Sequence, residues 1–262
     1  MTARSLQQLY EDPATPLISG SPRARLQAQM LVDVGSGAHR PLRAIDVGCG
    51  EGTWTAMAAD FAKRAGVDVT IIGLDWSVAA LEQARGHGLE VVRCSTEHPG
   101  LPIGSGSVDI VIVSEVIEHL VDPDTVLTEA RRVLVPGGSL LLSTPNLAAW
   151  YNRGLLMVGV QPIFTEVSLQ GIYGRPGHEV VGHLRVFTRR ALQAMLEAHG
   201  FVDVVITGAP YHDVPRPLRP LDRLLCRTPS LSSILLASAT APRGTLGGRT
   251  GGSGSSRVHS GR

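Results

Sequence analysis

The sequence predicts an α/β fold in which helices cover both faces of a parallel β-sheet. Short apolar runs alternate with segments of helical periodicity over most of the chain, which is typical of strands joined by crossover helices. A glycine-rich turn at residues 48–52 joins the first apolar run to the helix after it. With 43% apolar and 18% charged residues in 262, the chain can bury a sizeable core, and this composition argues against global disorder.

The predicted elements follow in a regular order. An amphipathic helix precedes the sheet, because Leu26, Met30 and Val34 recur at helical spacing after Ser21-Pro22. Asp122-Pro123 supplies the N-cap and first turn of a later helix, and Pro136-Gly137-Gly138 predicts a turn into the following strand. The predicted strands are 43–47, 69–74, 89–93, 110–113, 139–143, 201–206 and 233–238, and the predicted helices are 53–64, 78–85, 122–134, 189–199 and a short one near 221–226.

Three regions of the chain differ in composition. We expect an N-terminal helical segment at residues 1–40, one main domain at 41–240 and a disordered Gly- and Ser-rich tail at 241–262. Within the main domain, about residues 146–182 interrupt the alternation and are too long for an ordinary connection. Such an insertion is typical of a lid or binding loop, the alternative being a surface excursion. Its aromatic residues, which favour an apolar or ring-bearing ligand, are Trp150, Tyr151, Phe164 and Tyr173.

Charge and cysteine content exclude several classes of protein. The formal net charge of +1 argues against a surface built mainly for nucleic acid or anionic membranes. Cys49, Cys94 and Cys226 are scattered, so neither a disulfide framework nor a thiolate zinc site is indicated. The N-terminal residues lack the apolar core of a signal peptide, and no apolar run reaches membrane-spanning length. We therefore expect a cytoplasmic protein without a membrane span, and the sequence does not predict its oligomeric state.

The strongest motif is AIDVGCGEGTW at residues 44–54. Its glycines allow a tight turn that a ligand can approach closely, at the start of a helix with free amides. The GxGxG spacing differs from the GxGxxG of dinucleotide-binding loops, which disfavours a dehydrogenase. Asp75 ends the next strand, where a carboxylate can accept both hydroxyls of a ribose. Asp46 at the base of the loop suits a ligand with an ammonium or sulfonium centre; the alternative is a tight turn beside incidental acidic residues.

The motifs AIDVGCGEG, IIGLD, VDIVIVSEVIEHL and LVPGGSLLLSTPN, in this order, resemble those of class I S-adenosylmethionine-dependent methyltransferases. The resemblance covers roughly residues 40–240. It implies a Rossmann-like seven-stranded, mostly parallel sheet with one antiparallel strand near the C-terminus. It places Asp46, Gly48 and Gly50 at the methionine end of the cofactor, Asp75 at the ribose and Trp76 against the adenine, although Trp76 is equally compatible with a core position. The cofactor-binding set that it implies is Asp46, Gly48, Cys49, Gly50, Asp75, Trp76, Ser95, Thr96 and Ser114.

A second motif, Glu115-Val116-Ile117-Glu118-His119, predicts a metal or acid–base site. If these residues form a helical turn, Glu115, Glu118 and His119 share one face, and such crowded carboxylates call for a neutralising cation, for which Mg²⁺ or Mn²⁺ suits better than Zn²⁺. The segment resembles the ExxEH element of ubiquinone-biosynthesis O-methyltransferases and of small-RNA 2′-O-methyltransferases. The latter resemblance adds His183 as a fourth ligand.

Two alternatives to a metal stay open. His119 or His183 can act as a metal-free general base, with Glu118 as part of the catalytic set. The carboxylates can also be structural, for example through an ion pair of Glu118 with Arg131 or Arg132.

The sequence therefore predicts S-adenosylmethionine-dependent O-methylation of a small hydroxylated metabolite. One alternative is a metal-dependent RNA 2′-O-methyltransferase, which the charge balance and the lack of a basic-aromatic tract disfavour. The arginines at 216, 219, 223 and 227 form one modest basic cluster, which we interpret as a solvated helix edge. The other alternative is a non-catalytic cofactor-binding subunit of the same fold. The identity of the acceptor is not predicted, because one fold hosts many chemistries.

Overall fold

The computed structural model describes residues 22–96, 100–177 and 180–243. Seven strands and seven α-helices alternate along these residues. The strands are β1 (Leu42–Val47), β2 (Val69–Asp75), β3 (Glu90–Arg93), β4 (Val108–Ser114), β5 (Leu134–Pro145), β6 (Val202–Ala209) and β7 (Ile234–Thr240). The helices are α1 (Pro22–Gly35), α2 (Thr53–Arg64), α3 (Val78–Gly86), α4 (Pro123–Val133), α5 (Trp150–Met157), α6 (Arg189–Ala198) and α7 (Arg219–Leu225), with short 3₁₀ turns at Ile117–His119 and Arg216–Leu218.

All seven strands form one sheet in the order β3-β2-β1-β4-β5-β7-β6. The pairs β1–β2, β1–β4, β2–β3 and β4–β5 are parallel, whereas β7 runs antiparallel to both β5 and β6. This confirms the predicted fold class, including the single antiparallel strand near the C-terminus. The strands between the two edges carry long runs of buried apolar residues, as in β4, because helices cover both faces of such a sheet.

The first helix forms as predicted, but its buried stripe is centred elsewhere. Leu26 is 42% exposed, whereas Ala24, Gln27, Ala28 and Leu31 are fully buried. Met30 and Val34 are partly buried and pack against the core. Of the three residues whose spacing predicted the helix, Leu26 alone faces solvent.

The prediction of a separate turn at Pro136-Gly137-Gly138 is wrong. These residues lie inside β5, which begins at Leu134 directly after α4. The register shifts between Val108 and Ile110 on the neighbouring strand, and Gly137 has a φ of 83°. The irregularity is therefore absorbed within the strand as a bulge, which the sequence pattern does not separate from a turn.

The core lies on both faces of the sheet. The inward face of α4 packs Val126, Leu127, Ala130 and Val133 against the sheet. The other face packs α1 and α2 against β1 and β4 through a second buried cluster that includes Leu31. None of the described helices is long and apolar enough to cross a membrane. Of the predicted tail at 241–262, residues 244–262 lie outside the described part of the chain, as do residues 1–21 of the N-terminal segment.

Candidate functional site

The order of the strands places the site. The chain builds outward from β1 to β3 and then returns to β4 on the other side of β1, so the connections at the carboxyl ends of β1 and β4 diverge. Ligands of open α/β sheets bind in the crevice at such a switch point. Residues 48–52 follow β1 there, and the Glu115–His119 segment follows β4. Both predicted motifs therefore meet at one edge of the sheet.

The glycine loop is tied to the end of β2 and leaves open space above it. The backbone amides of Gly48 and Cys49 donate to the Leu74 carbonyl at 2.7 and 3.0 Å. Gly50 has a φ of 53°, and a Cβ atom on it would meet no other atom within 4 Å. Gly52 has a φ of 75° at the start of α2, where a Cβ would press on α3. The loop is therefore closed on the protein side and accessible on the side where a ligand would lie.

Asp46 carries an unsatisfied acceptor at the base of this loop. Its side chain is 2% exposed, and Oδ2 accepts a hydrogen bond from the Thr55 hydroxyl at 2.5 Å. Oδ1 is buried without a hydrogen-bond partner among the described residues. Burial, with a smaller effect of the nearby Asp75, raises the pKa of Asp46 to about 7. A cationic ligand group beside Oδ1 would satisfy the oxygen and favour the ionised form.

Asp75 is buried at the end of β2, with its carboxylate aligned by backbone amides. Oδ2 accepts a hydrogen bond from Gly50 N and Oδ1 accepts one from Ser77 N, both at 2.9 Å. A carboxylate has about four acceptor positions, so two remain for a diol. The same side chain therefore keeps acceptor positions for a ribose and also fixes the glycine loop. The sequence alone did not indicate this second role.

The remaining predicted cofactor residues surround this loop. Trp76 follows Asp75 and is half-buried, and Ser95 and Thr96 follow β3. Cys49 is half-buried in the loop itself. Ser114 ends β4, and its hydroxyl accepts a hydrogen bond from the Gln27 amide at 2.6 Å.

Glu115 does not share a helical face with Glu118 and His119, so that expectation is wrong. Glu115 has a φ of 54°, in the left-handed region, and the 3₁₀ turn begins only at Ile117. Glu118 is 1% exposed and accepts a hydrogen bond from the Thr144 hydroxyl at 3.0 Å. The proposed ion pair of Glu118 with Arg131 or Arg132 is also wrong, because Arg132 binds Glu129 at 2.7 Å.

Glu118 instead lies beside two histidines, as predicted for His119 and His183. One ligand atom from each of Glu118, His119 and His183 lies within 4.8 Å of the others. The two imidazole rings are 4.8 Å apart between centroids. Glu118 Oε1 is buried and, among the described residues, has no hydrogen-bond partner. Glu115 is not part of this group, although its own Oε1 is likewise buried and unsatisfied.

Backbone carbonyls orient both imidazoles. His119 Nδ1 lies 3.1 Å from the Gly182 carbonyl, and His183 Nδ1 lies 3.1 Å from the Phe164 carbonyl. Since a carbonyl accepts only an N–H, each ring carries its proton on Nδ1 and a lone pair on Nε2. This is the tautomer that a metal ligand or a proton acceptor requires.

Burial sets the charge states of the group. It lowers the pKa of His119 to about 3, helped by His183, and that of His183 to about 4, helped by Arg175. Burial, together with Glu115, raises the pKa of Glu118 well above its usual range. At neutral pH both imidazoles are therefore uncharged. A cation placed among the three groups would stabilise the ionised carboxylate.

Sequence reasoning missed Glu166, which holds the His183 segment in place. Its carboxylate accepts hydrogen bonds from the backbone amides of Val181 and Gly182 at 2.7 Å and of His183 at 3.1 Å. It also forms a buried ion pair with Arg175 at 3.1 Å. No spacing in the sequence links a carboxylate to amides 15 to 17 residues later, so only the structure reveals this contact.

The first helix also reaches the site, which the sequence did not indicate. Arg23 Nη1 donates to Ser143 Oγ at 3.4 Å and to Gln27 Oε1 at 3.3 Å. Gln27 in turn binds Ser114. Ser114 ends β4 and Ser143 lies two residues before the end of β5, so α1 contacts the sheet near the carboxyl ends of these two strands.

The aromatic residues of the 146–182 segment mostly pack against each other. Phe164 is 6% exposed and contacts Tyr151, Tyr211 and the ring of His183, with centroid distances of 6.4, 5.0 and 5.9 Å. Tyr173 is 59% exposed. Most of these rings thus form a small core behind His183, and Phe164 links that core to the site.

Comparisons with known proteins agree with this geometry. Residues 45–142 match the family model described as a methyltransferase domain. A probable S-adenosylmethionine-dependent methyltransferase of Mycolicibacterium smegmatis is 39% identical over 102 residues, which are 39% of this chain and 37% of that protein. A ubiquinone biosynthesis O-methyltransferase of Bordetella avium is 35% identical over 117 residues, covering 42% of this chain and 46% of that protein. The chain thus spans less than half the length of these curated relatives.

Solved structures share the fold. An S-adenosylmethionine-dependent methyltransferase from Mesorhizobium loti superposes with a TM-score of 0.56 at 20% identity, covering 86% of this chain and all of that one (100%). A methyltransferase from Thermotoga maritima, titled a possible histamine N-methyltransferase, gives 0.54 at 16% identity over 83% of this chain and 91% of that one. At these identities the likeness shows the fold alone.

Proposed function

Because the chain carries a class I S-adenosylmethionine-dependent methyltransferase domain, we propose that it methylates an oxygen of a small hydroxylated metabolite. The observation that carries this proposal is the juxtaposition of the open glycine loop with two neutral imidazoles at one sheet edge. The first supplies a place for the methyl donor, and the second supplies groups that can take up a hydroxyl proton. The name of the Bordetella avium relative supports oxygen as the methylated atom.

The residues of the glycine loop fit the methyl donor. S-adenosylmethionine carries a methyl group on a sulfonium. When a nucleophile attacks this methyl carbon in line, the carbon–sulfur bond breaks and the sulfur leaves as a neutral thioether. Asp46 Oδ1, buried and unsatisfied, is placed to accept a hydrogen bond from the donor's ammonium group. Asp75 keeps acceptor positions for the ribose hydroxyls, and the absence of a Cβ at Gly50 lets the ligand lie against the loop. These residues orient the methyl group, which is the main task of the enzyme in such a displacement.

The imidazoles fit the proton transfer. The acceptor O–H would pass its proton to Nε2 of His119 or His183, while the oxygen forms a bond to the methyl carbon and the carbon–sulfur bond breaks. General-base catalysis of this kind contributes roughly 10²- to 10⁴-fold to the rate. In its ionised form Glu118, next to His119, would stabilise the resulting imidazolium and strengthen a histidine that burial otherwise makes a weak proton acceptor.

The test combines cofactor binding with methyl transfer. We expect the protein to bind S-adenosylmethionine in calorimetry and to transfer radiolabelled methyl groups to one class within a panel of phenols, catechols, quinols and hydroxy acids. His119→Ala and His183→Ala should each reduce kcat by roughly 10²-fold or more and leave cofactor affinity within about twofold. The matched control is His199→Ala, which lies at the end of α6 and should change neither. Failure to bind the cofactor at all would contradict the proposal.

A metal-assisted form of the reaction is favoured by one specific observation. The three groups Glu118, His119 and His183 present ligand atoms within 4.8 Å, and Glu118 Oε1 has no hydrogen-bond partner among the described residues. One carboxylate with two imidazoles suits Mn²⁺ or another transition-metal ion better than Mg²⁺, which prefers oxygen ligands, so Mn²⁺ is the better of the two predicted cations. A pKa of about 3 makes His119 a weak proton acceptor but does not prevent it from binding a cation. A bound divalent cation would acidify a coordinated hydroxyl.

The metal form has its own test. We expect electron paramagnetic resonance to detect Mn²⁺ bound to the full-length protein in the absence of donor and acceptor, and Glu118→Gln to weaken that binding by about tenfold or more. Glu129→Gln, on the neighbouring helix, serves as control. Full methyl transfer in excess EDTA would leave the metal-free base as the mechanism. Methylation of RNA 3′ ends in preference to small hydroxylated compounds would replace the acceptor class proposed here.

A further inference from the structure

The segment from Arg216 to Arg227 exposes apolar and cationic side chains together. Leu218, Leu221 and Leu224 recur every third residue along the 3₁₀ turn and α7, and they are 42%, 41% and 56% exposed. The arginines at positions 216, 219, 223 and 227 are exposed between them. We call this surface, formed by the three leucines and the four arginines, the basic-leucine surface.

The acidic residue of this segment points inward. Asp222 is 1% exposed, and its carboxylate accepts hydrogen bonds from Trp150 Nε1 at 2.9 Å, Ser233 Oγ at 2.7 Å and Tyr211 N at 3.2 Å. None of the four arginines forms an ion pair with any described residue. The outward side is therefore purely cationic and apolar, unlike an ordinary solvated helix, on which charges of both signs are interspersed.

The charge of this segment is unusual for the chain. Four arginines and the single buried Asp222 give residues 216–227 a formal charge of +3, whereas the whole chain carries +1. The rest of the protein is thus net negative. A locally positive patch on a net negative remainder would orient the molecule on an anionic surface.

A second set of exposed apolar residues is anchored at the same place. Leu156, Met157 and Val158 are 57%, 87% and 74% exposed at the end of α5. The first residue of α5 is Trp150, whose indole binds Asp222 of α7. An eight-residue helix is about 12 Å long, so the exposed end of α5 lies near this anchor.

We propose that the basic-leucine surface docks the protein onto a bilayer that contains anionic phospholipids. Arginines interleaved with leucines fit the interface of a membrane, where the apolar groups enter the acyl boundary and the guanidinium groups reach phosphates. A chain of contacts links the surface to the proposed acceptor site. Asp222 of α7 binds Tyr211, whose ring contacts Phe164, and Phe164 contacts His183. Docking would therefore bring the acceptor site close to the membrane.

Vesicle sedimentation of the full-length protein, without methyl donor or acceptor, tests the proposal independently of the proposed function. The vesicles are phosphatidylcholine alone or phosphatidylcholine with 30% phosphatidylglycerol. We expect binding to the anionic vesicles only, weakening as salt rises from 50 to 300 mM. The triple variant Arg216→Gln/Arg223→Gln/Arg227→Gln should lose at least tenfold in partitioning, and Leu218→Ser/Leu221→Ser/Leu224→Ser at least fivefold.

Matched controls keep the result specific to this surface. Arg25→Gln/Arg85→Gln/Arg190→Gln removes three exposed arginines elsewhere, and Leu26→Ser removes an exposed leucine. Both should bind vesicles like the unmodified protein, and near-wild-type thermal melting of all variants verifies that they fold. The proposal is overturned if the unmodified protein stays in the supernatant at 50 mM salt, if the control triple variant loses binding equally, or if a single-stranded RNA binds through this surface while anionic vesicles do not.

Discussion

Several side chains of the site are buried carboxylates that lack a complete set of partners. Asp46, Glu115 and Glu118 each keep one oxygen buried without a hydrogen bond from any described residue. Leaving such a group unsatisfied costs free energy of unfolding, on the order of 1–3 kcal/mol for each acceptor. A protein retains such groups where a ligand supplies the missing donor or charge. The three oxygens therefore mark where positive charge is expected when the site is filled.

Asp46 gives a pH-dependent prediction. Since burial raises its pKa to about 7, the carboxyl is mostly protonated at pH 6 and mostly ionised at pH 8. A cationic ligand binds the ionised form, so affinity for S-adenosylmethionine should increase with pH through this range, by about tenfold between pH 6 and 8. Calorimetric titration at several pH values measures this change. Asp46→Asn should bind weakly with a flat profile, and an unchanged slope in that variant would assign the pH effect to another group.

Glu166 gives a prediction about positioning. Glu166→Gln replaces an oxygen that accepts backbone amides by an NH₂ group and leaves Arg175 buried without its ionic partner. The segment carrying Gly182 and His183 should shift, which moves both imidazoles. We expect kcat to fall at least tenfold with cofactor affinity within about twofold. Glu197→Gln on α6, where the carboxylate binds only a neighbouring glutamine, is the matched control. Equal losses in cofactor binding and turnover would indicate a general folding defect instead.

At the scale of elements, two glycines of the loop between β1 and α2 differ in their surroundings: Gly52 packs against the protein, and Gly50 faces the proposed binding space. Gly52 has a φ of 75°, and a Cβ there would lie 3.0 Å from Ala84 Cα and 2.5 Å from a Leu89 methyl of the α3 region. Gly50 has a φ of 53° and open space above it. The two glycines therefore differ in what a methyl group would disturb.

This difference predicts opposite outcomes for two alanine variants. Gly52→Ala should lower the free energy of unfolding by about 2 kcal/mol or more, because left-handed strain adds to a backbone contact. Gly50→Ala should lose only about 1 kcal/mol of stability but weaken cofactor binding severalfold, because its Cβ projects into the proposed binding space. Chemical denaturation and calorimetry separate the two quantities. Equal effects of both substitutions on binding would place the cofactor elsewhere.

Periodicity and turn chemistry predicted the elements well. Thr53–Arg64 forms a helix at the predicted residues, and Asp122 caps α4 by accepting the Asp124 amide at 3.0 Å. The failures have local physical causes. Leu26 follows helical spacing but faces solvent, because α1 turns Gln27 and Leu31 with its alanines toward the core instead. Glu115 follows the spacing of a helical turn, but its left-handed backbone keeps it out of the turn that carries Glu118 and His119.

The site was predictable where motifs act locally and not where contacts are remote. Asp46 and the glycine loop lie at the end of β1, and Asp75 lies at the end of the next strand, β2. One short stretch of sequence therefore contains all three. His119 contacts the Gly182 carbonyl, 63 residues later in the chain, and this contact brings it next to His183. Only the family resemblance suggested that the two histidines come together. The contacts of Glu166 and Arg23 join segments that share no periodicity, so sequence patterns carry no signal for them.

At the scale of the molecule, the last strand of the chain occupies an interior position in the sheet. β7 pairs antiparallel with β5 and with β6, from Ile234 to Thr240, and it is buried over most of its length. Without it, β6 would have no neighbour in the sheet and β5 would become an edge. The cooperative stability of the domain therefore depends on a strand that pairs with β5 across about ninety residues of chain.

This arrangement predicts the outcome of two truncations. A chain ending at Leu231 lacks β7, and we expect it to lose the cooperative thermal transition and to aggregate, because β5 then presents an unpaired apolar edge. A chain ending at Arg243 keeps all described elements and should melt within a few degrees of the full-length protein. Circular dichroism and light scattering compare the two. A cooperative transition in the shorter chain would show that β6 can dock without its neighbour.

The match to the family model ends at residue 142, whereas His183, Glu166 and α7 lie beyond it. The residues proposed for the methyl donor thus lie in one contiguous stretch, whereas the proposed acceptor group joins Glu118 and His119 of that stretch to His183 from the later part. Exchanging the later part alone would therefore leave the proposed donor residues in place. We expect a chimera that joins residues 22–145 to the corresponding later part of a relative to have that relative's acceptor specificity. Its affinity for the methyl donor should remain that of this protein.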